Sequence, residues 1–78
     1  MSILQAKKFF QHYTDATELD CIALGRKANL HREDVLKYTE NDREIQVSFV
    51  DYDEELGNSA SIKLEDIKIV SDVTIWAD

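Results

Sequence analysis

EIQVSFVDYDEELGNSASIKLEDIKIV, residues 44–70, is the stretch that decides the fold. Ile45, Val47 and Phe49 alternate with Gln46 and Ser48, the period-2 signature of a half-buried strand. Ala60, Ile62 and Leu64 alternate with Ser59, Ser61 and Lys63 in the same way. Between the two runs lies a polar connection, 51–58, in which Gly57-Asn58 can take the positive φ that a tight turn needs. This spells a β-hairpin. A lone hairpin is marginal in water, so another element must cover its apolar face.

The flanks supply that cover. Ser2 can cap a first helix over 3–13, which places Ile3, Ala6, Phe10 and Tyr13 on one face and Lys7, Lys8 and Gln11 on the other. Asp15 and Glu18 have the spacing of a capping box and open a second helix over 16–24, with Gly25 as its stop. The apolar run 19–24 also fits a short buried strand. Asn29 caps a third helix over 30–39. After the hairpin, Leu64-Glu65-Asp66 reads as a tight corner and Ile67 and Ile69 as a third strand. Val73 and Ile75, alternating with Thr74 and Trp76, add a fourth at the edge. The expected fold class is α+β, with two or three N-terminal helices packed on a small antiparallel sheet of three to four strands. One domain spans 1–78, helical over 1–40 and sheet over 44–76.

Composition narrows the function classes. Seventy-eight residues allow one modest core, and an apolar fraction of 44% is ordinary for a globular chain. No stretch approaches the ~18 consecutive apolar residues of a membrane span. No apolar run followed by a small-residue cleavage site opens the chain, so no signal peptide is expected. Cys21 is the single cysteine, which leaves no internal disulfide and points to the cytoplasm. The charge is uneven. Residues 1–43 hold seven Lys/Arg against seven Asp/Glu, whereas 44–78 hold two against nine and carry the whole net charge of −7. Such a half repels phosphate backbones and attracts basic partners.

LGRKANL, residues 24–30, followed by Val35 and Tyr38, resembles the helix-turn-helix of DNA-binding regulators. That resemblance, over residues 19–38, implies that His31, Arg32, Glu33 and Lys37 face the major groove. Gly25 in place of the usual alanine, and the acidic Glu33 and Asp34, depart from it. Phe49-Val50-Asp51-Tyr52 with Leu64-Glu65-Asp66-Ile67 resembles small SH3-like barrels such as Tudor domains, a geometry that many small sheets share. It implies about five strands and an aromatic cage, for which Phe49, Tyr52 and Trp76 are available. The carboxylates of 51–55 invite a calcium reading, but the sixth position from Asp51 is Leu56 and the twelfth is Ile62, which excludes an EF-hand loop. His12, His31 and Cys21 have no metal-ligand spacing, and no Gly-rich phosphate loop is present. The expectation is therefore no catalytic residue, no metal and no cofactor.

The charge layout leads to a non-enzymatic binding protein, an inhibitor or modulator that presents a negative surface to a basic site on a protein partner. A nucleic-acid-binding groove is one such site, with the acidic surface as a nucleic-acid mimic. Asp51, Asp53, Glu54, Glu55, Glu65 and Asp66 carry the contact, with Tyr52 and Trp76 as aromatic anchors. The alternatives are a DNA-binding regulator using His31, Arg32 and Lys37, and a structural subunit of a homo-oligomer that pairs through the edge of the fourth strand. Direct nucleic-acid binding and membrane association are not expected.

Overall fold

The computed structural model describes residues 1–50 and 59–70. Its element order is α1 (Ile3–His12), β1 (Glu18–Ala23), β2 (Arg26–His31), α2 (Arg32–Lys37), β3 (Glu44–Phe49), β4 (Ser59–Lys63), a single 3-10 turn (Leu64–Asp66) and β5 (Ile67–Ile69). The described part is thus two helices and a curled five-stranded antiparallel sheet in the order β4-β3-β2-β1-β5. No helix among the described residues is long and apolar enough to cross a membrane.

The helix α1 forms where its pattern places it. Ser2 Oγ accepts from the Gln5 backbone N–H and Gln5 Oε1 accepts from the Ser2 backbone N–H, so two orphan N–H groups at the start of the helix are satisfied. Ile3, Ala6 and Phe10 are its buried residues. The hairpin of β3 and β4 is also present, in the register Ile45↔Ile62 and Val47↔Ala60.

The expected helices over 16–24 and 30–39 are corrected. Residues 18–31 form the hairpin of β1 and β2, so the region 1–40 is not wholly helical. Leu19, Cys21 and Ala23 point inward while Glu18 and Asp20 point out, a period of 2 that small and outward apolar residues blur. Ala28 and Leu30 do the same on β2. Of the residues expected in the second and third helices, only Arg32–Lys37 are helical, preceded by His31 with no side-chain capping bond, and Asn29 lies within β2. The sheet has five strands where three or four were expected, and the fourth strand at 73–76 falls outside the described residues. Five strands is the count that the barrel resemblance implies. Phe49 is buried beneath the Arg26 guanidinium, 4.2 Å from its ring centre, while Tyr52 and Trp76, the other residues of the implied cage, lie outside the described residues.

The corner between β4 and β5 forces the curl. Glu44 pairs with Lys63, so β4 ends where β3 begins; Ala23 pairs with Ile67, so β5 begins beside the β1–β2 turn, at the other end. A flat sheet would set these outermost strands about 19 Å apart, at ~4.8 Å per strand. A 3-10 turn rises about 2 Å per residue, so three residues bridge well under that distance. The sheet must wrap on itself. Two backbone bonds fix the bridge, from Leu64 N to Arg43 O (2.9 Å) and from Leu24 N to Asp66 O (3.3 Å). One core results, built from α1, α2 and all five strands, with Phe10, Leu19, Leu30, Val35 and Val47 the largest apolar side chains sealed in it.

Ala23 pairs directly with Arg26, so Leu24 and Gly25 alone make the β1–β2 turn. Both have positive φ, 54° and 75°, the signature of a type I′ turn. Glycine takes this conformation freely, whereas leucine is strained by roughly 1–2 kcal/mol. Leu24 is also 61% exposed, so little packing offsets that strain. Leu24→Asn is therefore expected to stabilise the fold by about 1 kcal/mol, raising the melting midpoint by ~4–8 °C. A midpoint that falls would mean that the leucine side chain holds the turn.

Candidate functional site

The outward face of the sheet is polar, and β1, β2 and β3 bring its side chains into rows. Asn29 lies opposite Asp20, and with its side-chain amide turned to the orientation that satisfies both its O and its N, the nitrogen donates to Asp20 Oδ1 at 2.8 Å. His31 lies opposite Glu18, and its Nε2 is 2.8 Å from Ser48 Oγ on β3. These contacts follow from register, since residues outward on neighbouring strands stand close enough to bond. Ser61 Oγ donates to Glu44 Oε1 at 2.9 Å across the β3–β4 pair.

At the end of the sheet where β1 begins and β2 passes into α2, a shallow cleft opens, lined by Thr17, His31, Arg32 and Glu33. The Arg32 amide donates to Thr17 O at 2.8 Å, which ties the chain before β1 to the start of α2. The Nε of Arg32 is buried and has no hydrogen-bond partner among the described residues. Thr17 and Glu33 are exposed, while His31 and Arg32 are half-buried. Thr17, His31, Arg32 and Glu33 thus border one small open space.

The residues that the helix-turn-helix resemblance singled out are redistributed. His31 and Arg32 share this cleft, whereas Lys37 is exposed at the far end of α2. No helical pair precedes them, because residues 19–31 are strands joined at Leu24-Gly25. The major-groove geometry that the resemblance implies is therefore absent. Thr17 and Ser48 were not foreseen. Both come into place through cross-strand pairing, and only the outward position of Ser48 in its alternation hinted at it.

The acidic surface lies at the opposite end. Glu65 and Asp66 are exposed on the 3-10 turn, with Asp66 bonded to the β1–β2 turn. Val50 leaves β3 at that same end, its amide donating to Lys27 O at 2.9 Å, and Ser59 enters β4 there. The acidic connection therefore springs from the rim that carries Asp66. Arg26 and Lys27, at the start of β2, stand on that rim as well. Asp51, Asp53, Glu54 and Glu55, with Tyr52 and Trp76, lie outside the described residues.

Cys21 is buried in the core. Burial first, and the negative charge of Asp20 second, push its thiol from 9.0 up to about 11. The thiolate is the nucleophile, so Cys21 should resist alkylation at pH 8 in the folded protein and react at once in denaturant. Rapid labelling without denaturant would place it at the surface. Because the folded pKa is the higher one, stability should be level below about pH 9 and fall as pH rises toward 11.

Comparison of the chain with models of protein families, with curated proteins and with solved structures finds no match.

Proposed function

We propose that this chain is a small non-enzymatic binding module that presents the acidic surface of its C-terminal half to a basic site on a protein partner, and so acts as an inhibitor or modulator. The observation that carries the reading is the charge asymmetry. All of the net −7 resides in residues 44–78, and four of its carboxylates occupy five consecutive positions of one connection. Both anchors of that connection leave the sheet at the rim that holds Asp66. A concentrated field of one sign accelerates encounter with an oppositely charged site and rejects like-charged competitors. The reading gives no residue a catalytic role.

Affinity capture from an extract of the native host, at low and at high salt, followed by titration of the purified partner, tests it. A partner with a basic surface, bound saturably and released by salt, is the expected result. Saturable binding to an acidic partner, indifferent to salt, would overturn the reading.

A further inference from the structure

We propose that Leu24, at the tip of the β1–β2 hairpin, is an apolar anchor of the partner interface, and that the partner carries an apolar pocket beside its basic site. This role rests on the acidic-surface reading and adds to it the apolar half of the contact. Leu24 has φ 54° and is exposed, so the fold bears a strained leucine with little packing in return. Asparagine or glycine would form the same type I′ turn without that strain. A residue that breaks a local rule with no gain to the folded chain points to a task outside it.

The surroundings fit a contact. Among the described residues four large apolar side chains are exposed, and two of them, Leu24 and Val50, stand at the rim from which the acidic connection leaves. Val50 lies beside Lys27, whose carbonyl accepts its amide at 2.9 Å. The two-residue turn and the bond from Leu24 N to Asp66 O (3.3 Å) hold the leucine backbone in place, so little freedom is lost when its side chain is buried. An apolar pair edged by the exposed Glu65 and Asp66 has the anatomy of a protein interface, an apolar centre within a charged rim. Those two carboxylates, and the four that follow Val50 in sequence, call for basic groups around the partner's pocket. Lys27, exposed on the same rim, calls for an acceptor there, so the match is a pattern of charge rather than one sign.

Two helical peptides of equal length and charge serve as probes, one with leucines along one face and lysines along the other, the second with alanine in place of each leucine. Isotope-labelled protein is titrated with each at low and at high salt, and the methyl resonances of Leu24 and Val50 are followed. The expected result is saturable shifts of both residues with the leucine peptide, at a half-saturation at least fivefold lower than with the alanine peptide. Leu24→Asn, which retains the turn, should remove that advantage and leave the salt-sensitive attraction of both peptides. Leu24→Met should keep the advantage. Equal affinity for the two peptides, or an advantage undiminished in Leu24→Asn, would overturn the role of Leu24 and leave the acidic surface standing. Binding indifferent to salt, with the leucine advantage lost in Leu24→Asn, would keep the anchor and overturn the basic partner. Binding of neither peptide would overturn both.

Discussion

Phe10→Ala is expected to cost about 3–5 kcal/mol, enough to unfold much of the population at 37 °C. Phe10 is fully buried, on the face of α1 that also buries Ile3 and Ala6. Removing its ring leaves a cavity against the curled sheet, and the cost scales with how little that space can collapse. Here it can collapse little. Phe9, edge-on to Phe10 at 5.4 Å between ring centres, also lies 5.0 Å from Tyr13 and is not free to swing in. A 78-residue domain has roughly 4–12 kcal/mol in hand, at ~0.05–0.15 kcal/mol per residue. Leu4→Ala, on the same helix but 38% exposed, should change stability by no more than about 0.5 kcal/mol. Urea melts of both variants make the measurement. A Phe10→Ala midpoint equal to that of wild type would mean that α1 does not close the core.

The parts of the fold that could be read directly are those whose signal is local. Ser2 and the spacing of Ile3, Ala6 and Phe10 define α1 within one turn of chain, and the alternation around Val47 and Ile62 defines the β3–β4 hairpin. The β1–β2 hairpin escaped for a physical reason. Its inward positions include Cys21, Ala23 and Ala28, whose small side chains give weak hydrophobic contrast, while Ile22 points outward and breaks the period. Gly25 compounds the ambiguity, because positive φ serves a helix C-terminus and a type I′ turn equally well. Asn29 has the chemistry of a helix cap, yet its side chain is engaged across the sheet with Asp20. Cross-strand pairing, which a single-segment pattern does not reveal, decided both cases. The cleft shows the same limit. His31 and Arg32 stood out as polar residues with a task, but Thr17 reaches Arg32 only through a backbone bond that no local pattern announces.

Neutralising Asp51, Asp53, Glu54 and Glu55 together, as Asn or Gln, is expected to weaken binding of the basic partner at least tenfold, or about 1.4 kcal/mol, and to leave folding intact or slightly improved. Four carboxylates in five consecutive positions repel one another, and that repulsion opposes the compact state. Removing it should not lower the melting midpoint. Binding should respond differently, because steering depends on the charge that the partner meets as it approaches. The association rate should fall, and its dependence on salt should flatten. Charge reversal elsewhere provides the control. Glu40→Lys and Asp42→Lys add positive charge in the connection between α2 and β3, beside the end of the sheet opposite the acidic rim, and should alter association by no more than a few-fold. Stopped-flow association with the purified partner at several salt concentrations separates the outcomes. Equal losses from both sets of variants would make net charge alone the cause. Loss confined to the 51–55 set would assign binding to that connection. Retention of full affinity by all variants would leave the acidic half as a solvating surface.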